Sequence, residues 1–301
     1  MMKIINTIDE KQQFSNKQVA CLGFFDGLHI GHQLLTQTVL KEAKENNYQS
    51  LFFTFSIAPK KIILQQQYDD LLDMDDKQKL VSLMGFDNFV IFPFNDNTRK
   101  WSIEQFIFYL KQLNIDIIVV GDDFRFANFG LGNISHLQKN FSKVIVVNKV
   151  LINNDIRVST TYIRQLLQKK QIVSANKLLL QPYNIKGIVV KGNKLGNKIQ
   201  FPTANIHLND NFSILNEGVY ITNVSLDNKN YQAISCIIRI DNVLKCESYI
   251  LNFNNNIYGV KIKISFLKYL RDNVAVKSLE HLKQLISEDY SKTLEYFRKI
   301  G

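Results

Sequence analysis

The sequence predicts two domains of different class: an α/β domain with a parallel sheet, then a small antiparallel β-barrel with a C-terminal helix. In the first half, continuous apolar runs alternate with amphipathic helical patterns, which is typical of a parallel sheet covered on both faces. In the second half, short β-rich runs are separated by turn signals, which favours a small barrel. The predicted domains are residues 1–181 and 182–301, with Gln181-Pro182-Tyr183 at the boundary.

The elements of the first half follow one another as strand, helix, strand. The predicted strands are residues 19–22, 50–55, 88–94, 116–121 and 143–149, and the predicted helices are residues 32–47, 75–84 and 103–113. Ligands of such sheets bind beyond the carboxyl ends of the strands. The residues that directly follow each strand are therefore the candidate site residues.

The second half reads as short strands followed by one long helix. The predicted strands are residues 184–190, 218–226, 231–240, 247–253 and 260–266, and leucines at helical spacing predict a helix over residues 278–298. No internal repeat connects the two halves.

Composition describes an ordinary globular protein, with 46 % apolar and 21 % charged residues among 301. The net charge of +10 fits anionic substrates, and the scattered lysines form no basic arm, which argues against a nucleic-acid-binding protein. The three cysteines share no metal-ligand spacing and indicate buried thiols in a reducing compartment. No signal peptide or membrane span is evident, so we expect a cytoplasmic protein.

The most informative stretch is GFFDGLHIGH, residues 23–32, which links the first predicted strand to the first predicted helix. Free backbone N–H groups and the positive helix end make such a turn an anion site. Gly27 and Gly31 allow a tight turn and a close approach of the backbone to a ligand. His29 and His32 are predicted to reach one phosphate chain. The alternative is a common strand–glycine–helix turn in which the histidines only cap and pack.

A second motif, GDDFRFANFGLGN at residues 121–133, directly follows a predicted strand. Phe124 and Phe126 are predicted to flank a planar ring, and Arg125 to meet a phosphate or shape the loop. The alternative is a surface loop that contains two core phenylalanines.

A third motif, VSTTYIRQLL at residues 158–167, clusters hydroxyl groups at the start of a helical pattern. Ser159, Thr160 and Thr161 are placed to meet an anion there, and Arg164 lies one turn later. The alternative is a plain helix cap with an exposed arginine.

These three motifs, in this order, resemble the His-x-Gly-His nucleotidyltransferase superfamily and within it the bacterial FAD synthetases. The resemblance implies a Rossmann-like domain that transfers AMP from ATP to FMN. It implies that His29 and His32 are catalytic. It also implies a set of residues that bind ATP or flavin: Gly23, Phe25, Asp26, Gly27, Gly31, Asp123, Phe124, Arg125, Ser159, Thr160 and Arg164.

The second half resembles riboflavin kinase. The resemblance rests on KGNKLGNKIQFPTANIHL (residues 191–208), GVY (218–220), ESYILNF (247–253), IYG (257–259) and FLKYLRDN (266–273). It implies that Thr203 and Asn205 bind Mg²⁺ with the ATP phosphates, and that Glu247 is the base. It further implies ligand-binding roles for Gly192, Lys198 and Arg271. The whole chain is thus identified as a member of the bifunctional riboflavin kinase/FMN adenylyltransferase family.

The implied chemistry differs between the halves. The FMN phosphate is already an anion, so adenylyl transfer needs positioning and charge stabilisation rather than a base. His29 and His32 would hold the ATP phosphates, while Ser159, Thr160 and Arg164 would steady the leaving pyrophosphate. The hydroxyl of riboflavin does need a base, for which Glu247 is suited. Asp26 either orients the turn or contacts the nucleotide.

Three alternatives to the bifunctional enzyme remain open from the sequence. The family's NIGxRPT segment is absent from residues 233–246, so the second half is also compatible with a degenerate kinase module on an FMN adenylyltransferase. The others are a different His-x-Gly-His transferase and a non-enzymatic flavin- or nucleic-acid-binding protein. The expected small-molecule partners are ATP, riboflavin and FMN, and the sequence does not indicate an oligomeric state.

Overall fold

A computed structural model describes residues 1–6, 14–63, 69–153, 155–191, 201–209, 212–227 and 229–300. The chain forms two compact units, Met1–Thr160 and Thr161–Gly301. This division falls earlier than the predicted domain boundary at residues 181 and 182, which stays a prediction.

The first unit is built on a parallel sheet of six strands among the described residues. They are β1 (Lys3–Ile5), β2 (Gln18–Leu22), β3 (Gln49–Phe55), β4 (Asn88–Phe92), β5 (Ile115–Gly121) and β6 (Lys143–Val147). Their order across the sheet is β1-β4-β3-β2-β5-β6. The chain runs outward from β2 to β4 and then crosses back to β5, so the winding reverses between β2 and β5. A short antiparallel pair follows, β7 (Leu151–Ile152) and β8 (Ile156–Arg157).

Helices cover both faces of this sheet, as predicted. They are α1 (Ile30–Asn46), α2 (Pro59–Ile63), α3 (Met74–Leu83), α4 (Ile103–Gln112) and α5 (Ile134–Gln138). Alternate strand residues separate two cores: Cys21 and Phe52 pack with residues of α1 and α3, whereas Leu22 and Phe53 pack with residues of α4. The buried strands are apolar on both sides because both sides face helices.

The second unit is an antiparallel barrel. Its strands are β9 (Asn184–Ile188), β10 (Thr203–His207), β11 (Gly218–Leu226), β12 (Lys229–Ile240), β13 (Val243–Ile250) and β14 (Lys261–Arg271). They pair in the order β10-β13-β12-β11-β14-β9. The Val190 N–H donates to the Asn205 carbonyl at 2.8 Å, which joins the chain after β9 to β10 and nearly closes the barrel. The predicted fold class is therefore confirmed.

Three helices belong with the barrel: α6 (Thr160–Gln168), α7 (Ile172–Asn176) and the C-terminal α8 (Leu279–Ile300). The Asn176 amide of α7 donates to the Phe266 carbonyl of β14 at 2.8 Å. Tyr290 and Leu294 of α8 pack against an apolar patch of the barrel that contains Val219 and Ile234.

A buried ion pair fixes α8 to β14. The Arg271 guanidinium donates to both carboxylate oxygens of Asp289, with its nearest contact at 2.7 Å, and the Asp289 side chain is 3 % exposed. Two parallel N–H···O bonds fix the orientation of both groups.

Within the described ranges, no helix combines the length and the apolar character that a membrane crossing needs.

We predict that Asp289→Ala destabilises the protein, because it leaves the Arg271 guanidinium without its carboxylate. The free energy of unfolding should fall by about 2–3 kcal/mol, below the cost for a wholly buried pair, since the Arg271 side chain is 23 % exposed. Urea denaturation followed by helical circular dichroism measures this change. The control is Glu295→Ala, which removes an exposed ion pair with Lys299 from the same helix and should leave the midpoint unchanged. Equal midpoints for the two variants would contradict the prediction.

Candidate active site

Two of the predicted motifs lie at the point where the winding of the parallel sheet reverses. The turn at residues 23–32 follows β2, and the loop at residues 121–133 follows β5, the adjacent strand. Because the strands are parallel, both motifs emerge at the same edge. The structure therefore brings together two segments that are about a hundred residues apart in sequence.

The backbone of the turn is left-handed at three positions. Phe25, Gly27 and Leu28 have φ values of 55°, 77° and 44°. Asp26 supports this conformation: its buried Oδ1 accepts hydrogen bonds from the amides of Leu71, at 2.7 Å, and Leu72, at 3.3 Å. Asp26 thus supports the turn, which is one of the two roles that the sequence left open; its contact with the nucleotide stays a prediction.

The two histidines lie face to face. Their ring centroids are 3.6 Å apart and the ring planes differ by 19°. His29 is the N-cap of α1, and its Nδ1 accepts from the His32 amide at 3.3 Å, so its own proton resides on Nε2. A Cβ at Gly31 would come within 3.2 Å of the His29 ring, so a larger residue here would press on that ring. The His32 Nδ1 is buried and has no hydrogen-bond partner among the described residues.

Phe25 supports His32 from within the core. Its ring packs against Phe52, with centroids 4.5 Å apart, and meets the His32 ring edge-on at 5.2 Å. A Cβ at Gly23 would come within 3.1 Å of the Phe25 ring. Phe25 and Gly23 therefore shape the turn by packing, and their predicted contact with ATP or flavin stays a prediction.

Burial keeps both imidazoles neutral near pH 7. It lowers the pKa of His29 to about 4, and the positive charge of Arg157 acts in the same direction. Burial also holds the pKa of His32 well below its ordinary value, with further contributions from His29 and Lys77. Neutral rings bind phosphate as hydrogen-bond donors, and the helix N-terminus supplies the positive field.

The loop after β5 divides its aromatic residues between core and surface. Phe126 is 4 % exposed and packs on Phe106 with a centroid distance of 5.1 Å, so the expectation that it flanks a ligand was wrong. It enters the core because its backbone pairs with Gly132, where a Cβ would come within 2.7 Å of its ring. Phe124 stacks on Phe126 and stays half-buried, which leaves it as the ring available to a flavin.

The polar residues of that loop are at the surface. Asp123 is exposed and forms an ion pair with Arg157 of β8. Arg125 is exposed as well, and its Cβ lies near Gly130. Arg157 was missed from the sequence, although it directly precedes the third motif, which begins at Val158.

The third motif begins a helix, as predicted. Ser159 directly precedes α6, Thr160 is its first residue, and Arg164 follows one turn later. All three side chains are half-buried. Their predicted contact with ATP phosphates stays a prediction.

In the barrel, antiparallel pairing places several predicted residues in one row across the sheet. Asn205 of β10 is paired with Glu247 of β13, Glu247 with Cys236 of β12, Cys236 with Val219 of β11, and Val219 with Arg271 of β14. Directly paired residues project from the same face. Asn205 and Glu247 are therefore neighbours although 42 positions separate residues 205 and 247 in sequence (247 − 205 = 42).

One expectation for the barrel changes. Glu247 does not open its strand, since β13 begins four residues earlier, at Val243. Arg271 forms an ion pair with Asp289, and its predicted contact with a ligand stays a prediction. Gly192 and Lys198 lie outside the described residues.

Thr203 and Asn205 have the donor set of a magnesium site. The Asn205 Oδ1 is buried and has no partner among the described residues, whereas its amide nitrogen donates to the Thr203 carbonyl at 3.2 Å. An amide oxygen and a hydroxyl are hard ligands of the kind that Mg²⁺ accepts together with phosphate oxygens. In the described part of the chain no cluster of three or more His, Cys, Asp or Glu side chains is placed to hold a metal. These observations fit an ion that is shared with a nucleotide.

Glu247 is half-buried, and burial raises the pKa of its carboxyl group, while Lys245 opposes the shift. A raised pKa strengthens a carboxylate as a proton acceptor. Its position beside Asn205 therefore places the predicted base next to a predicted metal ligand.

Two protein-family models match the chain, one in each half. A model described as FAD synthetase matches residues 11–162, and a model described as riboflavin kinase matches residues 179–297. A Buchnera aphidicola (subsp. Schizaphis graminum) protein described as bifunctional riboflavin kinase/FMN adenylyltransferase is 35 % identical over 315 residues, covering 99 % of this chain and 100 % of that protein. A Bacillus subtilis protein with the same description is 30 % identical and covers 94 % of each chain.

One solved structure has a similar fold over nearly the whole chain. It is that of a Streptococcus pneumoniae protein described as a macrolide-efflux protein, with a TM-score of 0.86 and 28 % identity, covering 97 % of this chain and 99 % of that one.

The neutral, buried His29 predicts a loss of stability in acid. Its pKa is lowered on folding from 6.5 to about 4, so the unfolded chain takes up a proton before the folded chain does. The contribution of neutral His29 to the free energy of unfolding is therefore fully present above pH 6.5, and it declines as the pH falls toward 4. We expect protonation of His29 alone to lower the free energy of unfolding by about 2 kcal/mol between pH 7 and pH 5.

Urea denaturation at the two pH values, in the parent and in His29→Asn, tests this. Asparagine is a good N-cap residue and carries no titrating proton, so the variant retains the cap and loses the pH dependence. If the parent and the variant lose the same stability between pH 7 and pH 5, His29 is not the group responsible.

Proposed function

Since this chain belongs to the bifunctional riboflavin kinase/FMN adenylyltransferase family, we propose that it makes FAD from riboflavin in two ATP-dependent steps. The barrel phosphorylates riboflavin to FMN, and the parallel-sheet unit transfers AMP from ATP to FMN. The observation that carries the proposal is the stacked pair of neutral histidines at the start of α1, where the winding of the sheet reverses.

For adenylyl transfer, the FMN phosphate attacks the α-phosphorus of ATP, and pyrophosphate leaves. The nucleophile is an anion at neutral pH, so the site needs donors rather than a base. The proposed donors are the Nε2–H of His29, the His32 ring and the free amides at the start of α1, which together stabilise charge that builds on the phosphate oxygens. Ser159, Thr160 and Arg164 are proposed to bind the leaving pyrophosphate, and Phe124 to stack on the flavin ring.

For riboflavin phosphorylation, Glu247 is proposed to take the proton of the terminal ribityl hydroxyl while the hydroxyl oxygen attacks the γ-phosphorus of ATP, and ADP leaves. The raised pKa of this carboxyl group suits it to that task. Thr203 and Asn205 are proposed to hold Mg²⁺, which when bound offsets the negative charge of the ATP phosphates. Arg271, held by Asp289, would keep β14 and α8 in place beside this row.

A second candidate function is supported by one feature of the barrel. The segment that lacks the family's NIGxRPT string forms the regular hairpin β12–β13, in which Ile240 pairs with Val243. The two residues between them, Asp241 and Asn242, are both left-handed, with φ of 50° and 61°, as a tight hairpin turn requires. A hairpin without the family's string is compatible with an FMN adenylyltransferase whose barrel does not phosphorylate riboflavin.

One assay separates these functions. Purified protein receives Mg-ATP and either riboflavin or FMN, with the flavin tested in oxidised and in reduced form, and the products are separated by chromatography. FAD from both substrates supports the bifunctional enzyme. FAD from FMN alone supports the adenylyltransferase. The absence of any product from either substrate would contradict both.

We predict that His32→Ala abolishes FAD formation and leaves FMN formation unchanged, because the base proposed for the kinase step lies in a different unit. The rate of FAD formation from FMN should fall by about a hundredfold or more, the scale for removal of a group that stabilises the transition state. Equal loss of both activities in a folded variant would show that the two reactions do not use separate sites.

The reciprocal variant is Glu247→Gln, which keeps the shape of the side chain and removes the base. Riboflavin phosphorylation should fall by about a hundredfold or more, within the range for general-base catalysis, while FAD formation from FMN continues. Lys229→Gln, a change of an exposed side chain at the start of the neighbouring strand β12, is the control and should retain both activities. Unchanged phosphorylation in Glu247→Gln would exclude Glu247 as the base.

A further inference from the structure

A buried lysine lies beneath the histidine turn. Lys77 of α3 is 1 % exposed, and its Nζ donates to the carbonyl oxygen of Phe24 at 2.6 Å. The same ammonium lies 4.2 Å from the centroid of the Phe24 ring. A lysine is almost never fully buried unless its charge is compensated, so this position calls for an explanation.

The Phe24 carbonyl receives a second hydrogen bond, from the Thr54 hydroxyl at 3.0 Å. One residue later the chain enters the left-handed stretch that begins at Phe25 and continues through Gly27 and Leu28. Left-handed conformations of residues other than glycine persist where their surroundings fix them. Lys77 and Thr54 fix the chain before this stretch, and Asp26 fixes it from within.

The charge of Lys77 also acts on the histidines. It is one of the causes that keep His32 neutral. Burial lowers the pKa of Lys77 to about 8, and three carboxylates, Asp26, Asp70 and Asp73, oppose this shift. The ammonium is therefore charged at pH 7. It places a full positive charge behind two rings that carry none.

We propose that Lys77 is a positioning residue for adenylyl transfer: its ammonium holds the Phe24 carbonyl, and so aims the two imidazoles, while its charge favours phosphate at the turn. Lys77 itself is buried and does not touch the nucleotide. This inference rests on the proposed FMN adenylyltransferase activity.

The test compares three variants by steady-state kinetics of FAD formation from FMN. Lys77→Met keeps most of the side-chain volume and removes the donor and the charge. Thr54→Val removes the other donor to the same carbonyl without a change of charge, and is the matched control. Lys77→Arg restores a positive donor.

In Lys77→Met, kcat should fall by about tenfold or more, KM for Mg-ATP should rise, and KM for FMN should stay within about twofold of the parent. Thr54→Val should lose less than about threefold in kcat. Lys77→Arg should recover part of the loss in Lys77→Met. A change in KM for Mg-ATP that is not matched by KM for FMN distinguishes positioning from a general loss of folded protein.

Two results would overturn the inference. One is parent-like kcat and KM for Mg-ATP in Lys77→Met; the other is the same loss in Thr54→Val as in Lys77→Met, which would show that the charge has no part. If Lys77→Met does not fold, Lys77→Arg decides: parent-like kinetics there support a positive donor, and a tenfold loss in folded protein contradicts it. A parent protein that makes no FAD from FMN would instead refute the proposed function.

Discussion

The burial of two adjacent imidazoles at the start of α1 is the constraint on which the parallel-sheet unit depends. Rings that stack 3.6 Å apart would repel each other if both were charged, and burial removes that state near pH 7. The proposed binding of phosphate at this turn must then draw on other sources of positive potential. The structure offers the N-terminus of a 17-residue helix and the buried ammonium of Lys77. Placement of the turn beyond β2, where the winding reverses, opens this potential to a ligand at the edge of the sheet.

The barrel brings the proposed base and a proposed metal ligand together from distant parts of the chain. Antiparallel register does this directly, because Asn205 and Glu247 are paired residues of neighbouring strands. A shift of one residue in this register would send Glu247 to the opposite face. The register is fixed by alternation: Ala204, Ile206, Cys246 and Ser248 are buried on the other face of the two strands, although Asn205 itself is also buried. The interior of the barrel thus determines the geometry of the proposed site on its outer face.

The sequence predicted five of the six described strands of the parallel sheet, because apolar runs that alternate with helical patterns are typical of such a sheet. It missed the short strand β1 (Lys3–Ile5). The sequence could not show that Phe124 and Phe126 have different environments, because residues two apart share a face in an extended strand. In this loop the pairing of Phe126 with Gly132 places the Phe126 ring in the core. The sequence placed Lys77 in a helix, and the position of Lys77 four residues before the buried Val81 was the available signal that its side chain faces inward. The role of Asp26 was open because its partners, the amides of Leu71 and Leu72, are 45 and 46 positions away in sequence.

The electrostatics of the two units differ in the way that their two nucleophiles require. A phosphate that attacks ATP is already charged, so a carboxylate beside it would add repulsion. Asp26, the carboxylate within the histidine turn, is buried and accepts hydrogen bonds from two backbone amides. These hydrogen bonds give it a structural role and do not suit it to act as a base. A ribityl hydroxyl must lose its proton to react, and in the barrel Glu247 stands half-buried with a raised pKa, next to an asparagine whose buried oxygen lacks a described partner. The residues proposed as base and metal ligands are present, so the absence of the family's NIGxRPT string bears on how riboflavin is bound. Loss of kinase activity, if the assay with riboflavin finds it, would thus have to arise in substrate binding.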